Sequence, residues 1–145
     1  MLVIRPHHLI DIVASIGNGD KVAPHPYGHA VHTVTELVRA NVDTEVRFVI
    51  GADDICKPCM HLVNGVCDDH LKQLDPPLPK QKYNDGLDTK LFELLSLGSD
   101  SMTVREFLLL VKRKLNGIGS ICAHPKQDGG RKTANIRNGL RMLGV

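Results

Sequence analysis

Aromatic residues are nearly missing from this chain, which has no Trp, two Tyr and three Phe among its 145 residues. Its core must therefore be built from Leu, Ile and Val, and it offers no aromatic platform on which bases could stack. An excess of charge of one sign is lacking too: the formal net charge is only +2, too little to argue for a nucleic-acid partner. No run approaches the eighteen or so apolar residues that a membrane span needs. At the N-terminus His7 and His8 come before any apolar stretch long enough for a signal peptide. There is no internal repeat, no low-complexity tract and no break in composition that would mark a domain boundary. The expectation is a single domain over residues 1–145, cytoplasmic, with no membrane and no nucleic acid among its partners. The hydrophobic share of 42% and charged share of 23% are those of an ordinary globular protein.

The apolar pattern predicts a mainly α fold, or α+β with one or two short strands: a single compact helical domain carrying a metal-binding loop. Leu2–Ile4 reads as a short strand. Pro6 then opens a helix at a position where its missing N–H is not needed. Leu9, Ile12, Val13 and Ile16 share one face of that helix, while His7, Asp11 and Ser15 share the other. The segment 17–20, with two glycines, stops it. A second amphipathic helix is expected over 28–41, with Val31, Val34, Leu37 and Val38 inward and His29, His32 and Glu36 opposite. Residues 45–50 alternate and then turn apolar, as a strand does. Prolines at 76, 77 and 79 break regular structure, and 80–85 reads as a polar connection. Asp88 then caps a helix bearing Leu91, Leu94 and Leu95. Thr103 and Glu106 form a capping box for a helix with Val104, Phe107, Leu108, Val111 and Leu115 on one face, ended by Gly117 and Gly119. A last helix is expected from about Thr133.

Four cysteines are present: Cys56 and Cys59 as a Cys-x-x-Cys pair, Cys67 soon after, and Cys122 far along the chain. In a reducing compartment such a set points to metal or redox chemistry before disulfides. A Cys-x-x-Cys loop brings two thiolates to one metal with little backbone strain; Pro58 stiffens it, and Gly65 allows a tight turn before Cys67. Asp53, Asp54, Lys57, His61, Asp68 and Asp69 flank the cysteines and mark polar loop, against the simpler alternative of buried thiols packed as small hydrophobes. A thioredoxin-like motif would open a helix, whereas Cys59 leads into a turn. All-thiolate ligation by Cys56, Cys59, Cys67 and Cys122 suits an iron–sulfur cluster and a zinc ion alike, and the spacing does not choose between them.

Eight histidines are many for this length, and five fall between positions 7 and 32. His7 and Asp11 lie one helical turn apart, so the carboxylate could orient the ring and raise its basicity. His25, His29 and His32 are spaced to offer imidazoles to one ion, or simply to make a solvated helix face. Near the C-terminus Lys126, Arg131, Lys132, Arg137 and Arg141 cluster, and Gly129–Gly130 offers a nest of backbone N–H groups for a phosphate or carboxylate. The plain alternative is a solvated helix side.

The segment 5–9 (Arg-Pro-His-His-Leu), the glycine-bearing stretch 16–19 and the stretch 53–59 with Cys67 resemble domain of unknown function 1284, whose bacterial and archaeal members are described as iron–sulfur-binding proteins. The resemblance covers roughly the first seventy residues, and beyond them only a helical region leading to a late cysteine. It implies a cluster, of the 4Fe-4S cubane type, in preference to zinc. In that family the histidine pair is followed by a cysteine, where Asp11 stands here. Two ligand sets follow: the four cysteines, closing the cluster, or three thiolates with one iron left to Asp11, a histidine or a substrate. The first suits a small electron carrier. The second suits a cluster-dependent enzyme of lyase or desulfidase type, with His7, His8 and Asp11 as catalytic groups acting on a small anionic substrate. A zinc-stabilised, non-catalytic binding module is the alternative from a different class.

Overall fold

The computed structural model describes all 145 residues, and helix is the dominant element of its fold. The N-terminal strand β1 (Leu2–Ile4) lies at one edge of a three-stranded sheet in the order β1-β2-β7, where β2 is Glu45–Phe48 and β7 is Met102–Thr103. β1 and β2 run parallel, in register Leu2 with Val46 and Ile4 with Phe48. A parallel pair needs a crossover between its strands. Here two helices supply it: α1 (Pro6–Asn18) and α2 (Val31–Ala40). Four further strands, β3 (Leu62–Val63), β4 (Val66–Cys67), β5 (His70–Leu71) and β6 (Leu78–Pro79), form two minimal antiparallel pairs, β3 with β4 and β5 with β6. Such short ladders carry no alternation to read, which is why the sequence suggested one or two strands and the fold has more.

Helix α1 starts at Pro6, as its ring geometry favours, and ends where Gly19 adopts φ +73° and returns its N–H to Ile16 and Ser15. Leu9, Ile10, Ile12, Val13 and Ile16 are all buried. Their helix packs on α6 (Gly129–Met142) at glycine contacts: a Cβ at Gly17 would overlap the backbone of Asn135, and one at Gly139 the backbone of Val13. Only glycine permits this approach of two backbones.

Several boundaries differ from the sequence expectation. Helix α2 starts at Val31, because Gly28 holds φ +78° in a turn closed on His25; His29 is thereby left outside the helix. Leu37 is exposed, and Thr35 takes its place inside with its hydroxyl on the Val31 carbonyl. Helix α3 runs over Lys80–Leu94, so the stretch 80–85 is helical and Asp88 is an interior residue, not a cap. The capping box of α4 (Val104–Arg113) is present, Thr103 and Glu106 bonding reciprocally. Beyond it Gly117 and Gly119 do not end a helix but lie within α5 (Leu115–Cys122), with Cys122 its last residue. Helix α6 begins at Gly129, four positions before Thr133, because Asp128 caps it by accepting the N–H groups of Gly130 and Arg131. The nest expected for an anion is thus filled by the chain's own carboxylate. No helix is long and apolar enough to cross a membrane.

Candidate metal centre

The loop after β2 is stitched onto the N-terminal strand. Asp54 donates its N–H to the Val3 carbonyl, and its carboxylate accepts the Val3 N–H at 2.8 Å. Ile55 anchors the loop in the core, and its carbonyl accepts from Ala30. Cys56 and Cys59 follow on a tight turn, with Cys59 N–H on the Cys56 carbonyl at 2.9 Å. Asn64 and Gly65, at φ 51° and 77°, then reverse the chain between β3 and β4, a two-residue hairpin turn. That reversal brings back Cys67, whose N–H donates to Gln81 Oε1 on α3 at 2.9 Å. Cys56, Cys59 and Cys67 line one cavity of about 450 Å³, together with His7, His8 and Asp11 from α1.

Cys122 does not line this cavity. It is 1% exposed and packs within the apolar core at the end of α5. Burial first, and the Asp11 carboxylate second, push its thiol far above the usual range. Cys56 is also raised, to about 12, by burial and by the neighbouring Asp53. It is a protonated thiol at neutral pH until a cation reverses the local field.

Asp53 is the hub of the centre. It is 1% exposed. Its Oδ2 accepts the Arg5 N–H and His8 Nδ1–H, each at 2.7 Å, and its Oδ1 accepts the Cys56 N–H at 3.0 Å. Burial alone would raise its carboxyl, but the bond and charge of His8, then the amide of Arg5 and the contact with Cys56, outweigh it and hold the group at about 2. A ring nitrogen of His8, a carboxylate oxygen of Asp53 and the Cys56 Sγ all lie within 4.8 Å of one another. No family model, no curated protein and no solved structure matches this chain. Geometry and donor chemistry therefore carry the functional argument.

His7 has the same arrangement with a different carboxylate. Asp88 is fully buried; it accepts His7 Nδ1–H at 2.9 Å, the His7 backbone N–H at 3.0 Å and Arg5 Nη1 at 2.7 Å. The partner that orients His7 is therefore Asp88 from α3, not Asp11. Asp11 instead pairs with Lys132 of α6. Burial works to raise the Asp11 carboxyl, but Lys132 and His7 hold it below the ordinary range. The rings of His7 and His8 sit 4.3 Å apart. Of the other histidines, His29 and His124 line the cavity with Nδ1 buried and unbonded, and His61 lines it with Nδ1 on Asp68 at 2.7 Å. Burial lowers both His29 and His124 below the usual imidazole range, with His25 helping at His29 and Asp11 opposing at His124. His25 stacks on His29 with centroids 4.4 Å apart, while His32 lies outside the cavity.

Sequence reasoning passed over Asp88, Arg5, Gln81 and His124. For Asp88 the obstacle was the polar start of α3: with no apolar stripe before Leu87, its first turns look like connection. Those turns are polar because they bond to β4 and to Arg5.

Proposed function

We propose that this chain binds an iron–sulfur cluster, of the four-iron cubane type, through Cys56, Cys59 and Cys67. The supporting observation is that thiols from two separate segments, the Cys-x-x-Cys turn and β4, line one cavity. Soft thiolates favour clusters and zinc over hard cations, and a volume of about 450 Å³ is that of a ligand site, not a packing defect. The resemblance of segments 5–9 and 53–59, with Cys67, to the domain of unknown function 1284 proteins adds weight for a cluster. Cys122 is left out of this ligand set because it lies in the core.

A cluster iron not held by cysteine supplies Lewis acidity toward a small oxygen or sulfur ligand. The chain's own residues supply the rest. His7, with Nδ1 bonded to Asp88, has Nε2 left to give or take a proton. Lys72 and Lys80 line the same cavity and favour a small anion, though Lys80 shares its charge with Asp69 at 2.6 Å. With that iron left open this reading is a cluster-dependent enzyme of lyase or desulfidase type acting on a small anionic substrate; with it closed by a side chain it is a small electron carrier. A second reading, a single zinc in a non-catalytic binding module, is favoured by a ring nitrogen of His8 and the Cys56 Sγ lying within 4.8 Å of each other, since one tetrahedral ion draws its ligands close.

Anaerobic purification with iron, sulfide and zinc analysis tests the choice. The cluster reading expects a brown protein with about four irons and four sulfides per chain, lost in Cys59→Ser and Cys67→Ser and kept in Cys122→Ser. A colourless, sulfide-free protein with one zinc overturns it.

A further inference from the structure

We propose that His8 Nε2 is the fourth ligand, completing the set with Cys56, Cys59 and Cys67, and that Asp53 is the residue that positions it. The inference rests on the thiolate-bound centre proposed above; it gives the fourth position to a side chain in place of a substrate and so makes the cluster a closed one, as an electron carrier needs.

The nearness of His8 to Cys56 is the first argument. A ring nitrogen of His8, a carboxylate oxygen of Asp53 and the Cys56 Sγ form the one group of three potential metal ligands within 4.8 Å of each other in this protein, and because Nδ1 is bonded to Asp53, Nε2 is the ring nitrogen left for a metal. Asp53 itself is not free to coordinate: its Oδ2 holds Arg5 N–H and His8 Nδ1–H, and its Oδ1 holds Cys56 N–H. It has the role that a carboxylate plays behind a metal-bound histidine. By accepting the proton on Nδ1 it fixes the tautomer, orients the ring and leaves the lone pair on Nε2. The same carboxylate binds the backbone of Cys56, so one buried group sets two ligands relative to each other.

Six competing donors are worse placed. Asp11 is engaged by Lys132, and Cys122 lies outside the cavity. His7 is held by Asp88 but forms no such close group with a thiol. His61 leans on Asp68, whose side chain is 53% exposed, so its ring lacks a buried support. His29 and His124 have no partner on Nδ1 and so nothing to fix their tautomer.

A neutral imidazole in place of a thiolate raises the potential of a cluster. Pulsed electron paramagnetic resonance on the reduced, anaerobically purified protein, grown with ¹⁵N-histidine, is the direct test. One strongly coupled nitrogen is expected in the parent protein and in His61→Ala. It should vanish in His8→Cys, which keeps the cluster and shifts its midpoint potential downward. His8→Ala should give a cluster that iron chelators strip at least tenfold faster. A parent cluster without strong nitrogen coupling, or a coupling that survives His8→Cys, overturns the assignment while leaving the cluster reading intact. Where the centre proves to be zinc, X-ray absorption at the zinc edge decides: three sulfurs and one nitrogen support His8, and four sulfurs overturn it. A chain that takes up no metal overturns both proposals.

Discussion

Asp53 accepts hydrogen bonds from three partners, Arg5 and His8 at the start of α1 and Cys56 in its own loop, yet it is one of the least exposed charged side chains in the protein. A buried carboxylate is tolerated only when its oxygens are satisfied. The stabilisation can be read from its titration. With the folded carboxyl at about 2 and an ordinary value of 3.8, the charged form is favoured by folding. Its contribution is complete above about pH 4 and is lost as the pH falls toward 2. The shift corresponds to about 2 kcal/mol. Asp53→Asn should lower the urea-unfolding free energy of the metal-free protein by about that much at pH 6 and by much less at pH 2.5. Equal losses at both values would mean that the charge is not what matters. Asp88 is built on the same plan for His7 and Arg5, so α1 begins on two buried carboxylates supplied by distant segments.

The packing of α1 on α6 depends on glycine at both faces. Gly139 lies against the backbone of Val13, and Gly17 against that of Asn135 and Gly139. The obstacle to a methyl group is main chain, which cannot rotate away as a side-chain tip can. Gly139→Ala should therefore cost about 3 kcal/mol, visible as a fall in the thermal midpoint. Gly86→Ala, on α3 with open space beyond it, should be neutral or slightly stabilising. A Gly139→Ala protein as stable as the parent would mean that the helices can separate without penalty. The start and stop of α1 were legible in Pro6 and Gly19, and the start of α4 in Thr103 and Glu106, because capping is a local exchange of hydrogen bonds. The start of α3 was not legible, since Gln81, Asp85 and Asp88 are polar for the sake of contacts with Cys67 and Arg5. The glycines of α5 misled in the other direction. They read as a stop, but Gly119 instead lets α5 approach Thr133 of α6.

For the molecule as a whole, the proposed metal centre would tie together segments that otherwise share little core: the Cys-x-x-Cys turn, the β3–β4 hairpin and the first turn of α1. The two-residue strands around them have few apolar contacts of their own. Metal binding should therefore be folding free energy for this part of the protein. Stripping the centre with a chelator should raise amide hydrogen exchange across residues 53–71 by tenfold or more. Exchange in the buried stretches of α1 and α4 should change little. Uniform loss of protection over the whole chain would instead make the metal essential to the fold as a unit.

The order of apolar and polar residues by itself determined that this chain is mainly helical, which faces of α1 and α4 are buried, and that Cys56 and Cys59 share a turn. Periodicity, capping and turn formation act over a few residues, so the local sequence is enough to specify them. Only the tertiary structure decided which groups face one another across the cavity. His8 meets Asp53 over 45 positions and His7 meets Asp88 over 81, and Cys122 leaves the other thiols for the core. Pairings of that range follow from how helices and sheet pack together, and a buried carboxylate takes whichever donors the packing brings to it.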